Sequence, residues 1–180
     1  MSKNIFVTQM IPDAGIRILK EKGYTVDVNP ENKILNKQEL ISVLSQKSYD
    51  AVLCMLTNTI DSEVFDKAGA VKIFANYAVG YNNIDMKEAQ NRGITVTNTP
   101  GVLTDSVAEH AVALAISVAL RIVEADKYLR EGKYKGWEPM GFIGMELKDK
   151  TVGILGAGRI GFRVAQIMKN GFNCSIVYYD

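Results

Sequence analysis

The sequence predicts an α/β protein built on parallel strands, and three observations predict it. Strand-like and helix-like stretches take turns through residues 1–99. Strands such as AVLCML at 51–56 are continuous apolar runs, as parallel strands covered on both faces require. A glycine-rich turn, GAGRIG at 156–161, stands between an apolar strand and a helix-like segment.

The elements follow in order. NIFVTQ at 4–9 is β-branched and apolar, and DAGIRILKEKG after it spaces Ile16, Leu19 and Lys20 for a short helix closed by Gly23. YTVDV at 24–28 is a strand. NKQELISVLSQ at 36–46 is a helix in which Asn36, with Glu39 three residues on, has the form of a capping box. The strand at 50–56 precedes DSEVFDKAG, a helix capped by Asp61. VKIFANY, IDMKEAQNRG and ITVTN supply a further strand, helix and strand. Gly23, Gly69 and Gly93 each end a helix just before a strand, where a positive φ is called for. Residues 1–99 therefore form one open α/β domain.

Between the strand at 71–77 and its following helix lies AVGYNNID, where backbone N–H groups could face an anion. A tight βα turn is the other reading, and the residues alone leave both open.

The longest helical pattern runs from Asp105 to about Glu131, with Thr104 or Asp105 as its cap. It is apolar around most of its circumference from Val107 to Val123, which calls for burial on several sides. At 1.5 Å per residue it would be roughly 40 Å long, the length of a connecting helix or one that meets a second subunit. His110, the sequence's single histidine, falls inside it without a carboxylate partner in view and reads as a packed structural residue. Residues 100–150, this helix and a glycine-containing loop carrying Trp137, form an interdomain connection.

The segment at 151–180 is the start of a Rossmann dinucleotide-binding domain. Gly156 permits the turn, Gly158 lets a diphosphate approach the backbone and Gly161 lets the helix pack on its strand. Arg159 and Ile160 lie within the same turn, at the helix N-terminus. A second strand ends at Asp180, about twenty residues on, where a carboxylate accepts from ribose hydroxyls and repels a 2′-phosphate. The cofactor expected is NAD.

Composition excludes other classes. The 21 basic and 20 acidic side chains nearly balance, which gives no footing for nucleic acid or an anionic membrane. Cys54 and Cys174 lack metal-type spacing and read as buried thiols in a reducing compartment. The apolar run at 111–120 is too short to span a bilayer, and the N-terminus lacks a secretory signal, so the expected location is the cytoplasm.

The stretches NYAVGYNNIDMKEAQNRGITVTNTPGVLTDSVAEHAVAL, GWEPMGFIGMELKDKTVGILGAGRIG and VYYD resemble the N-terminal part of the D-isomer-specific 2-hydroxyacid dehydrogenase family, its glyoxylate and hydroxypyruvate reductase branch above all. The resemblance implies a flavodoxin-like substrate domain followed by a Rossmann domain. It implies that main-chain amides of Val79 and Gly80 hold a substrate carboxylate and that Leu56 lines the substrate pocket. Thr104 matches a position near the nicotinamide, and the helix at 105–131 matches the family's homodimerisation region. The family's catalytic arginine, glutamate and histidine match nothing up to Asp180. The expectation is therefore a truncated piece of an NAD-dependent oxidoreductase, inactive alone, with Ile154, Leu155, Ile176 and Val177 lacking neighbours. A non-catalytic NAD-sensing or dimerising module of the same fold is the alternative, and a formate dehydrogenase-like enzyme a weaker one.

Overall fold

The computed structural model describes residues 2–180, which divide into two compact units between Pro100 and Gly101. The first unit holds β1 (Asn4–Val7), α1 (Asp13–Glu21), β2 (Thr25–Val28), α2 (Lys37–Gln46), β3 (Ala51–Cys54), α3 (Ser62–Ala68), β4 (Ile73–Asn76), α4 (Met86–Asn91) and β5 (Thr95–Thr97). All five strands are parallel, in the order β2-β1-β3-β4-β5. This is the flavodoxin-like order, whose switch point lies between β1 and β3.

Alternation along the strands builds the core. Phe6, Val52, Cys54 and Phe74 share a cluster with Leu40 and Leu44 of α2, Val64 and Phe65 of α3 and Ala89 of α4. Phe65 meets Phe74 edge to face, with ring centroids 5.3 Å apart. The expected end signals are present: Asn36 and Glu39 form the complete capping box, and Asp61 accepts from the Val64 N–H. Gly23, Gly69 and Gly93 all have positive φ.

At the edge of this core the buried Tyr49 donates its hydroxyl to Asp27, which also pairs with Lys47. The Lys47 bond holds the Asp27 carboxyl below the ordinary carboxylate value. Burial, reinforced by the bond to Asp27, pushes the Tyr49 phenol up to about 12. Its folded value thus exceeds the unfolded value of about 10, so its share of stability is complete below pH 10 and is lost as pH rises towards 12. Urea denaturation at pH 9, 10, 11 and 12 should show this decline, and Tyr49→Phe should flatten it; an equal slope in the variant would assign the decline elsewhere.

The second unit holds α5 (Thr104–Ala119), α6 (Ile122–Arg130), β6 (Thr151–Leu155), α7 (Arg159–Phe172) and β7 (Ser175–Tyr179). β6 and β7 pair in parallel, and α7 packs against α5 around Val112, Met168 and Cys174. Arg163 of α7 pairs with Asp105 of α5 at 2.6 Å.

Three expectations about the long helix are corrected. It is two helices, bent by 64° at Leu120 and Arg121. The residue preceding it as cap is Leu103, with Thr104 and Asp105 already in the first turn and no side-chain cap bond. Burial is one-sided: Ala108 and Val112 are covered, while Val107, Leu114 and Val118 are exposed. No glycine or proline marks the break, because packing makes it. The Met145 N–H donates to the Ala119 carbonyl at 2.7 Å, and Gly144 allows that approach, since a Cβ there would lie 2.6 Å from the same oxygen. Arg121 takes a left-handed conformation, pairs with Glu124 and lies over the Phe142 ring.

Both cysteines are buried and free, as expected. Leu155 and Val177 are exposed, whereas Ile176 is partly buried in the second core and Ile154 is half-buried. Among the described residues no single helix is long and apolar enough to cross a membrane.

Candidate functional site

In an open parallel sheet, ligands bind beyond the carboxyl ends of the strands. There the loops after β3 and β4 are stitched into one body. Ile60 donates to the Asn83 carbonyl and accepts from the Asp85 N–H, both at 2.8 Å. Thr8, at the end of β1, donates to Asn58 at 2.7 Å, and the same Asn58 oxygen accepts from the Met55 N–H.

The loop after β4 is held by its carbonyl groups. The Ala78 oxygen accepts from the Thr99 N–H, the Val79 oxygen from Asn98 Nδ2 and the Gly80 oxygen from Asn76 Nδ2, each at 2.8 Å. A trans peptide is planar, with its N–H opposite its C=O. Three consecutive carbonyls drawn into the protein therefore turn the N–H groups of Val79, Gly80 and Tyr81 the other way. Among the described residues none of these three donors has a protein acceptor. Such a row of unpaired N–H groups has the form of an anion cradle.

Leu56, from the loop after β3, stands beside it: a Cβ on Gly80 would lie 3.9 Å from the Leu56 side chain. Leu56 is half-exposed at 51%. The structure thus brings together Leu56, Val79 and Gly80, and the glycine–asparagine stretch is a tight turn whose outward N–H groups have the geometry that an anion site needs.

The second unit carries the other predicted residues. Gly156 has φ 91°, and its N–H donates to the Tyr179 carbonyl. A Cβ on Gly161 would collide with the Gly156 carbonyl and lie 3.1 Å from Ile154, so only glycine fits. In front of Gly158 there is open space. Gly158 precedes α7 as its cap, leaving the N–H groups of Arg159, Ile160 and Gly161 without a protein acceptor among the described residues. The Asp180 carboxylate accepts from the Ala157 N–H at 3.0 Å through one oxygen, which pins the turn to the end of β7 and leaves the other oxygen available. These residues fit a dinucleotide: anion-facing amides, an approach clear of side chains and an acceptor for hydroxyls. A groove of about 690 Å³ opens beside them, with Ala157 and Asp180 at one end and Lys169 and Asn170 at the far end of α7.

The Arg159 guanidinium reaches the vicinity of Gly101, 3.8 Å from a Cβ placed there. Thr104 is half-buried in the first turn of α5. His110 is exposed, which corrects the expectation of a packed residue, and no carboxylate bonds to it among the described residues.

Sequence reasoning missed Asn76, Asn98 and Ala157. An asparagine closing an apolar strand, as Asn76 does, is the signal that could have revealed the first, because a polar side chain in such a place must find partners.

A model of the family described as D-isomer specific 2-hydroxyacid dehydrogenase, catalytic domain, matches residues 5–175. The glyoxylate reductase of Pyrococcus furiosus is 45% identical over 184 residues, an alignment covering 100% of this chain and 54% of the relative. Among solved structures, the TT0316 protein from Thermus thermophilus superposes with a TM-score of 0.91 at 36% identity, over 97% of this chain and 55% of that one. A 3-phosphoglycerate dehydrogenase of Entamoeba histolytica, solved with NAD+ bound, gives a TM-score of 0.74 at 30% identity, over 100% of this chain and 54% of that one. The chain spans about half the length of the curated relatives it matches. With the flavodoxin-like sheet, the outward row of N–H groups and the glycine turn in place, this chain belongs to the D-isomer specific 2-hydroxyacid dehydrogenase family.

Proposed function

We propose that this chain supplies the substrate cradle and the first part of the NAD site of a 2-keto acid reductase, with glyoxylate or hydroxypyruvate as substrate. The row of outward N–H groups at Val79, Gly80 and Tyr81 carries the reading. Neutral N–H dipoles held rigidly can bind a carboxylate without the desolvation cost of burying a cation. Leu56 would cover the short carbon skeleton beside them.

NAD supplies the hydride when bound. The first-turn amides of α7 hold its diphosphate, and the available oxygen of Asp180 accepts from a ribose hydroxyl while repelling a 2′-phosphate. Proton delivery is a separate requirement, since reducing a keto group needs a general acid. The exposed His110 has no carboxylate to orient it, and we assign it no catalytic role. The chain's own residues bind and orient; they do not turn the substrate over. As part of the same reading, the exposed Val107, Leu114 and Val118 of α5 form a contact with a second copy.

Titration of the 180-residue chain with NADH and NADPH, followed by nicotinamide fluorescence, tests the cofactor. NADH should bind at least about tenfold more tightly, and Asp180→Ala should narrow that gap. Equal binding of both cofactors by the unaltered chain would overturn the NAD assignment. Adding glyoxylate to the NADH complex should leave the nicotinamide absorbance unchanged, and steady oxidation would overturn the division of labour.

A further inference from the structure

The amide side chains of Asn76, Asn83 and Asn98 form a set whose hydrogen bonds end on the carbonyls of the two loops at the site. Asn76, only 2% exposed, donates one hydrogen to the Gly80 carbonyl at 2.8 Å and the other to Asn83 Oδ1 at 3.1 Å. Asn83 Nδ2 faces the carbonyls of Met55 at 3.1 Å and Asn58 at 3.0 Å, which flank Leu56, and returns to Asn76 Oδ1 at 3.3 Å. The buried Cys54 thiol approaches the same Asn76 oxygen at 3.5 Å. Burial pushes that thiol up to about 12, so it stays protonated and remains a donor at neutral pH. Asn98, half-buried at the end of β5, donates to the Val79 carbonyl.

We propose that Asn76, Asn83 and Asn98 are positioning residues that set the direction of the Gly80 and Tyr81 N–H groups and the distance between the row and Leu56. The proposal rests on the reading of the row as a carboxylate site.

Asn98 and Asn76 each act on a carbonyl whose peptide carries one of the outward donors. Freeing the Val79 carbonyl frees the Gly80 N–H to rotate, and freeing the Gly80 carbonyl does the same for Tyr81. A primary amide suits the task because it presents donors and an acceptor on one planar, uncharged head. Aspartate would match the shape but replace the donors with a negative charge, facing the same carbonyls and close to the anion. Leucine would fill the space and leave the carbonyls unpaired. Asn83 holds Asn76 in place and couples the two loops, so Leu56 keeps its place relative to the amides.

The test uses the ¹⁵N-labelled 180-residue chain, its Asn83→Ala and Asn98→Ala variants and Val64→Ala as a control. Val64 is fully buried in α3, and its side chain makes none of the hydrogen bonds that hold either loop, so truncation lowers stability and leaves that set of bonds in place. Asn98 makes one side-chain bond at the rim, so its variant retains the fold even where Asn83→Ala does not. Glyoxylate is titrated into each protein while the amide resonances of residues 79–81 are followed, with urea denaturation run in parallel.

In the unaltered chain these three resonances should move saturably. In the asparagine variants the dissociation constant should rise about tenfold, as loss of a hydrogen bond holding the site implies. Val64→Ala should bind as the unaltered chain does, despite its lower stability. Unmoved resonances in the unaltered chain would overturn the carboxylate reading and the positioning role with it. Normal binding by both asparagine variants would overturn the positioning role alone, as would weakening in Val64→Ala equal to that in Asn98→Ala.

Discussion

Gly161→Ala unfolds or severely loosens the second unit and removes NADH binding. The methyl group would be driven into the Gly156 carbonyl oxygen, with Ile154 blocking a sideways escape at 3.1 Å. Backbone on one side and a core side chain on the other leave relief only by lifting α7 from β6. Overpacking of this kind costs about 3 kcal/mol or more, a large part of the stability of a small unit. Lifting the helix also misdirects the amides of Arg159, Ile160 and Gly161, so NADH affinity should fall at least about a hundredfold. Gly171→Ala is the matched control, because that glycine lies in the same helix with no atom within 4 Å of a new Cβ. It should leave NADH binding unchanged and raise stability by about 0.5–1 kcal/mol. Chemical denaturation and NADH titration of both variants decide the matter, and equal behaviour of the two would refute the close-packing account.

Phe74→Ala should cost the first unit about 4 kcal/mol, in the range found for deleting a buried aromatic ring. Phe74 is fully buried in β4, two residues before Asn76, and meets Phe65 edge to face. Its loss opens a cavity beneath the strand that delivers the Val79 and Gly80 loop. The denaturation midpoint of the chain should fall sharply while NADH binding persists at low denaturant, since no residue of the dinucleotide turn shares the cluster that holds Phe74. A loss below about 1 kcal/mol would mean that the site collapses around the cavity and that β4 is less firmly held than its burial indicates.

The two predictions differ in how far the sequence anticipates them. Gly161 stands in a motif whose spacing already states why a glycine is needed. The consequence of removing Phe74 depends on which residues surround it, and VKIFANY does not name its neighbours. The same contrast runs through the candidate site. Leu56, Val79 and Gly80 were legible through resemblance, whereas their assembly depends on Asn76, Asn83 and Asn98 reaching carbonyls up to 28 residues away in the chain.

By itself the sequence determined what local chemistry dictates. Apolar runs between helical stretches specified parallel strands, Asn36 and Asp61 specified helix starts, and the GAGRIG turn specified a strand–turn–helix whose amides and Asp180 fit a dinucleotide. Each depends on residues close in the chain, or on a periodicity that a single strand or helix must satisfy. Only the tertiary structure decided the break after Leu120, where an apolar, glycine-free helix pattern is interrupted by the approach of Gly144 and Met145. It also decided that α5 buries one face, and that three carbonyls turn inward so that three N–H groups turn out. Those outcomes follow from pairing polar backbone groups and filling space between distant segments, and neither requirement is written in the order of residues along any one of them.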